Sequence, residues 1–460
     1  MALATIAAVA VIVLVAAAYV ATSNDDDDDN GGGSTDSMYT RYLTENSGSA
    51  TVKSVGTKLV VFGNANNDVY LDSKDVDFIQ KIVDGKSGWD SDANPLADTN
   101  ADGAITQDDV SLLKLFLGGK NASMFYLDSY LDTQKIKFPM TGKIAVGGSN
   151  DVDMLRIFGM TDRIVCSSAN VPDECKDVKG SSSWKTGFNY PYDYEIVVGS
   201  GATITLGQPY MYDSTFEGSV RKGYGSFPID MVKLHEARLM NGIEAVACTV
   251  TLGALMNAYG QGTYNEFLKY AQNVEEIVEK ATKNISEGDR PSYVLIIAQS
   301  SNDSAANLSI DNVSTDVENY GDVATVTNLG MVPAMKPIPN GYKSGGTTVE
   351  DILKSKPDVI FVEANVGDSY TDYTAKVSQI SEYLIKAGYK GRIIGITYTV
   401  MGNAASTSAL PLLASYIYGN KVYSESDAWN DLVTYYNTFL DGNYTVESIK
   451  KSTYGPYVVQ

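Results

Sequence analysis

Histidine is almost missing from this chain: His235 is the only one in 460 residues. A zinc centre needs several imidazoles or paired cysteines at fixed spacing, and His235 stands in DMVKLHEARLM with neither, so it reads as a structural or solvated side chain. Cysteine is as scarce, with three residues, which excludes a disulfide-stapled scaffold. Cys166 and Cys175 could bridge a short loop, and Cys248, inside an apolar run, reads as a buried thiol. No cysteine lies near the N-terminus to carry a lipid anchor. Basic residues are the third shortage: 35 lysines and arginines face 56 aspartates and glutamates, a formal charge of −21. Nucleic acid is excluded as a partner, because phosphate binding needs clustered Lys and Arg. Nor is there a GxSxG elbow, a P-loop or an identifiable glycosidase carboxylate pair. These absences point to a binding protein rather than an enzyme.

What is present begins with an apolar run. Residues 2–21, ALATIAAVAVIVLVAAAYVA, carry no charge, and twenty residues of helix reach about 30 Å, the thickness of a bilayer core. Residues 1–22 read as a single-pass membrane anchor; a signal segment cleaved near Ala16, Ala18 or Ala21 is the other reading. The acidic run Asp25 to Asp29, Gly31 to Gly33 and the absence of Lys or Arg before Arg41 put the remaining chain outside the cell. Residues 23–56 form a flexible, self-repelling linker. Six Asn-x-Ser/Thr triplets, at Asn121, Asn284, Asn302, Asn307, Asn312 and Asn443, suit an extracellular glycoprotein.

Residues 98–109, DTNADGAITQDD, alternate oxygen donors around a glycine. Asp98, Asn100, Asp102, the Ala104 carbonyl, Thr106 and Asp109 stand at positions 1, 3, 5, 7, 9 and 12 of a calcium loop, Gly103 permits its turn, and Ile105 plugs the core. Residues 64–75, NANNDVYLDSKD, repeat the pattern with Asn64, Asn66, Asp68, Tyr70, Asp72 and Asp75. Neutral Asn64 and bulky Val69, where the other loop has Asp98 and Gly103, predict weaker binding here. A short helix follows each loop, DVDFIQKIV and DVSLLKLFL. The pair resembles a dockerin type I module over residues 57–120, a small all-α calcium unit. That resemblance implies a cohesin-like partner; the plainer expectation is a spacer folded by calcium.

After a linker at 121–142, short apolar runs alternate with helical stretches, the mark of α/β layers. Strands are predicted at 143–148, 162–168, 202–207, 244–250, 293–299, 323–327, 358–364 and 392–398, and Ser149 is placed to cap a helix through Phe158. A long helix, Tyr264 to Asn284, aligns Phe267, Ala271, Val274, Ile277, Val278 and Ala281 on one face and divides the strands in half. The order KIAVGGSNDVDMLRIFGMTDRIV, long helix, YVLIIAQ, then TVEDILKSKPDVIFVEAN resembles class III solute-binding proteins of ABC importers, over nearly all of 143–460.

The resemblance implies two Rossmann-like lobes, 143–262 and 288–460, joined by a rigid helix at 263–287. Between them would lie an iron–siderophore, haem or cobalamin, delivered to an ABC permease. It implies that one glutamate per lobe docks to the permease: Glu350 in EDILKSKPDVIF and Glu195 in EIVVGSGATITL, the latter with Gly201-Ala202 in place of Pro-Asp. Open α/β sheets bind ligands beyond the strand ends, which nominates Ser149, Asn150, Ser168, Gln208, Tyr210 and Tyr212 from the first lobe. From the second it nominates Gln299, Glu363, Asn365, Tyr398 and Met401. The competing reading is a cell-surface interaction protein that recruits a cohesin partner and reuses the lobes as scaffold.

Overall fold

The structure, a computed structural model, describes residues 59–91, 93–127, 133–168, 182–184, 194–206, 230–232, 243–298, 304–311, 324–335, 342–364, 369–397, 400 and 406–460. The apolar segment at 2–21, the acidic linker, His235 and Cys175 lie outside these residues. Among the described residues no helix is long and apolar enough to cross a membrane.

Both loop-helix repeats form as expected. Helix α1 (Ser73–Val83) starts at Asp72 and α2 (Gln107–Leu117) at Thr106, each through a capping box closed by the aspartate at loop position 12. The helices pack through Ile79, Val110, Leu113 and Phe116, all buried. The linker expected at 121–142 is instead a hairpin, β1 (Ala122–Leu127) and β2 (Thr133–Phe138), paired antiparallel from Ala122↔Phe138 to Leu127↔Thr133. Period-two alternation explains it: Met124, Tyr126, Ile136 and Phe138 turn inward. Phe62 N donates to Phe125 O at 2.9 Å and Leu127 N to Val60 O at 3.0 Å, so the hairpin seals the loop module, which is not all-α.

The first α/β sheet holds β3 (Ile144–Val146), β4 (Ile164–Ser168), β5 (Ser182–Trp184), β6 (Ile204–Leu206) and β7 (Asp230–Val232), all parallel, in the order β5-β4-β3-β6-β7. This is the doubly wound order, reversing direction between β3 and β6. Helix α3 (Ser149–Ile157) crosses from β3 to β4, and α4 (Tyr194–Gly199) leads into β6. The run at 244–250, expected as a strand, is helix α5 (Ile243–Leu255). It is apolar all round and buried from Ala245 to Met256, and such a run shows no periodicity that separates strand from helix.

Helix α6 (Tyr264–Lys283) follows, with its predicted face buried. The second sheet contains β8 (Ser292–Ala298), β9 (Leu308–Asp311), β10 (Val332–Pro333), β11 (Tyr342–Thr347), β12 (Val359–Ala364), β13 (Arg392–Ile396) and β14 (Tyr457–Val458). Its path is β11-β9-β8-β12-β13-β14, with β10 also on β8; β8, β10, β12 and β13 are parallel. The strand expected at 323–327 is a helical turn, α7 (Ala324–Thr327), and β10 takes the edge of β8. Tertiary packing overrides the β propensity of this Val/Thr-rich stretch. Helices α8 (Val349–Ser355), α9 (Tyr370–Lys386), α10 (Ser406–Tyr418), α11 (Glu425–Thr434) and α12 (Val446–Ile449) complete the second half, with a π-helical turn at Tyr435–Phe439.

One apolar cluster runs from Leu59 through α3, α5 and α6 to Phe439 and Ile449. On α6, Phe267 meets Phe439 at 5.3 Å and Tyr270 meets Tyr435 at 5.4 Å. At its start Thr263 N donates to Ile157 O at 2.8 Å, so the helix is bonded to both halves rather than laid between them.

Candidate functional site

The chemistry of an open parallel sheet is found beyond its strand ends, at the point where strand order reverses. In the first lobe that point is the turn after β3. Asp151, 1% exposed, accepts from Gly147 N and Gly148 N at 2.9 Å each and locks the turn. Ser149 is thus the first helical residue and not the cap, which is Gly148. Asp151 sits at the third helical position, where a carboxylate reaches back to the cap amide; that spacing was the available signal. Asn150, just before it, is 8% exposed. In the second lobe Glu363 stands near the end of β12, opposite Ile297 and Ile396, and is fully buried. Asn150 and Glu363 occupy the predicted ends of their elements, but neither is open to solvent. Ser168 ends β4. Gln208, Tyr210, Tyr212, Gln299, Asn365, Tyr398 and Met401 lie outside the described residues.

Glu195 and Glu350 take equivalent places. Each is the second residue of a short helix, α4 or α8. Nine positions separate Glu195 from Ile204 at the start of β6, and nine separate Glu350 from Val359 at the start of β12 (204 − 195 and 359 − 350). Both strands lie directly beside the first strand of their sheet, β3 and β8. Each helix is left through a left-handed residue, Gly201 at φ 77° and Lys356 at φ 53°. Helix α8 is capped by Thr348 and Asp351, with Asp351 N donating to Thr348 Oγ1 at 3.1 Å. The Glu350 side chain is 80% exposed, and it pairs with Lys354 at 3.3 Å.

Away from position 1 the two loops repeat each other bond by bond. Asp68 N donates to Asn66 Oδ1 at 3.0 Å, as Asp102 N does to Asn100 Oδ1 at 3.0 Å. At position 12, Asp75 accepts from Asn66 N and Asp72 N, and Asp109 from Asn100 N and Thr106 N. Position 4 is left-handed in both, Asn67 at 58° and Ala101 at 55°. Tyr70 and Ala104 are the position-7 residues, each with its amide on the position-5 carboxylate.

Position 1 differs. Asp98 accepts from Asp102 N and Gly103 N, whereas Asn64 donates through Nδ2 to Leu59 O at 2.6 Å and Asp68 O at 2.7 Å. That leaves Asn64 Oδ1 buried and without a partner. Burial, only partly offset by backbone donors, pushes the Asp75 and Asp98 carboxyls up to about 6 and raises that of Asp109. Among the described residues no three His, Cys, Asp or Glu side chains converge as metal ligands. Calcium, however, takes carbonyl, amide and water oxygens as readily as carboxylates. A buried orphan amide oxygen and buried carboxylates lacking a counter-charge fit such a hard cation.

Of the glycosylation triplets, Asn121, Asn284, Asn307 and Asn443 are exposed; Asn302 and Asn312 lie outside the described residues. Cys166 and Cys248 are both buried.

No family model and no curated protein matches the chain. Among solved structures it is similar to a periplasmic solute binding protein from Veillonella parvula, at 15% identity over 72% of this chain and 96% of that one, TM-score 0.49. It is also similar to Helicobacter pylori CeuE with Ni(II) bound, at 16% identity over 71% and 99%, TM-score 0.43. A periplasmic heme binding protein from Pseudomonas aeruginosa gives 15% identity over 60% and 92%, TM-score 0.38. Similarities at this level assign neither a family nor a function.

Proposed function

We propose that this chain is the extracytoplasmic receptor of an ABC importer, tethered by residues 2–21, and that it delivers a metal chelate of the iron–siderophore, haem or cobalamin kind. The observation that carries the reading is the matched pair Glu195 and Glu350. Two carboxylates at the same offset from the same strand of two similarly wound sheets, tied to one long helix, suit a receptor that straddles a basic permease surface and is oriented by it. The ligand would sit beyond β3, β4, β8 and β12, where Asp151 holds the first turn rigid. Nothing in this role calls for a reacting group.

The 64–75 and 98–109 loops would each hold calcium, through Asn64, Asn66, Asp68, Tyr70, Asp72 and Asp75 in one and Asp98, Asn100, Asp102, Ala104, Thr106 and Asp109 in the other. The cation would supply counter-charge to buried oxygens and hence folding energy. The hairpin and the packing of this module on α5 and α6 favour a built-in part of the receptor over a unit that reaches out to a cohesin partner.

The test is calorimetric titration of the full chain in detergent with a ferric hydroxamate siderophore, haemin and cyanocobalamin, beside uptake in cells carrying Glu350→Ala. Micromolar or tighter binding of one ligand with unchanged affinity but lost uptake in the variant is the expected result. No binding across the three, or unimpaired uptake in the variant, overturns the reading.

A further inference from the structure

The two loops are not equally placed. The first is built into the junction between the loop module and the inter-lobe helix. Beside it, Val60 N donates to Thr251 Oγ1 of α5 at 3.1 Å, a buried bond. Within it, Tyr70 Oη approaches Gln272 Oε1 of α6 at 3.4 Å. Tyr259, in the turn from α5 to α6, brings a buried hydroxyl without a full hydrogen bond to the Leu71 backbone, close enough to Asp75 and Asp72 to feel both charges. Its ring stands edge-on to Tyr264, the first residue of α6, at 5.3 Å. Tyr264 in turn meets Phe158 at the end of α3 at 5.4 Å, and its hydroxyl donates to Val250 O at 2.6 Å. A packed path thus runs from the first loop to the start of α6, which joins the lobes, and to the end of α3, whose other end forms the Asp151-locked turn. The second loop faces its own module, where Thr99 and the following helix's Leu113 lie against Gly63.

The donor sets differ in the matching sense. Across positions 1, 3, 5, 9 and 12 each loop has three carboxylates. Loop 64–75, however, has neutral Asn64 at position 1, its Nδ2 already committed to Leu59 O and Asp68 O, and Val69 where loop 98–109 has Gly103. A neutral first ligand and a less adaptable turn weaken calcium binding. Its Asn64 Oδ1 is nonetheless fully buried and unpartnered at the first ligand position. A permanently filled structural site would be the loop with a carboxylate at position 1 and glycine at the turn; a site that fills and empties would be this one.

We propose that loop 64–75 is a calcium-responsive clamp on the inter-lobe helix, so that external calcium sets the stiffness of the hinge, while loop 98–109 serves only to fold its own module. This rests on the calcium reading given above. Local opening linked to an occupied site falls by the factor 1 + [Ca]/Kd, about tenfold at ten times Kd.

The experiment is hydrogen exchange on the full chain in detergent, in calcium and in chelator, with calcium stoichiometry from calorimetry and the variants Asp68→Asn and Asp102→Asn. Asparagine keeps the shape and the bond that Oδ1 accepts from the Tyr70 or Ala104 amide. It removes one charge together with the bond that the second oxygen accepts from Asn66 or Asn100 Nδ2, equally in the two loops. Expected is about tenfold slower exchange over residues 259–270 and 150–158 with calcium. Asp68→Asn should abolish that gain and Asp102→Asn should retain it. Two bound calciums with no change at 259–270 and 150–158 overturn the clamp and leave the calcium reading standing. No calcium at loop 64–75 overturns both, and equal loss in the two variants overturns the assignment to the first loop. The wild-type comparison of calcium with chelator stands alone if a variant misfolds.

Discussion

Gly253→Ala places the α5–α6 junction under a direct test. In an isolated helix this change is favourable, because alanine exceeds glycine in helix propensity by about 1 kcal/mol. Here a Cβ at 253 would overlap three ring carbons of Tyr264, Cε2, Cζ and Cδ2. The ring cannot swing aside: its hydroxyl is bonded to Val250 O, and Phe158 and Tyr259 stand edge-on against it. Overpacking of this kind costs about 1–3 kcal/mol, and displacing the hydroxyl from a buried carbonyl adds about 1–3 kcal/mol. Steric overlap wins over propensity, for a net loss of about 3 kcal/mol. The assay is urea unfolding followed by tryptophan fluorescence, with a lower midpoint at unchanged slope. The decisive control is the same change in a Tyr264→Ala background. There the ring is gone, and Gly253→Ala should become neutral or stabilising by up to about 1 kcal/mol. An unchanged or raised midpoint in the wild-type background refutes the reasoning.

Four further outcomes are expected. Asp151→Ala strips the Gly147 and Gly148 amides of their acceptor in a buried turn and should cost about 2–4 kcal/mol, read as a lowered unfolding midpoint. Lys356→Gly relieves a left-handed residue at the end of α8 and should stabilise by up to about 1 kcal/mol, measured by the same denaturation. Glu350→Ala removes an exposed pair with Lys354, so stability should stay within about 0.5 kcal/mol while uptake falls. In calcium-free protein Asp75 and Asp98 hold protons up to about pH 6, above their ordinary 3.8. The folded state therefore binds more protons than the unfolded, and stability falls as pH rises from about 4 through about 6. The full penalty, about 2–3 kcal/mol per carboxylate, is present at pH 7. Added calcium should raise the melting temperature more at pH 7.5 than at pH 5; an equal rise at both would remove these carboxylates from the site.

Local patterns were legible wherever one periodicity ran uninterrupted. The loop repeat could be read because ligand positions are spaced by backbone geometry alone, and away from position 1 the structure reproduces its hydrogen bonds in both loops. The amphipathic face of α6 and the apolar strands β3, β4, β6, β8, β12 and β13 were visible for the same reason. The run at 244–250 was not, since a segment buried on every side has no periodicity to distinguish helix from strand. The hairpin at 122–138 alternates plainly, yet as a supposed spacer it gave no sign of pairing with residues 60–62.

The sequence by itself determined the composition of each part: an oxygen-rich loop pair, two α/β halves, a long helix and a glutamate ahead of one strand in each half. Only the tertiary structure decided how the parts are joined. That Glu195 and Glu350 share a place ahead of equivalent strands depends on strand order, and that the module of loop 64–75 is fastened to α5 depends on packing between residues about 190 positions apart, as in Val60 and Thr251. Such contacts arise from burial of apolar surface, which is non-directional and leaves no local spacing to read.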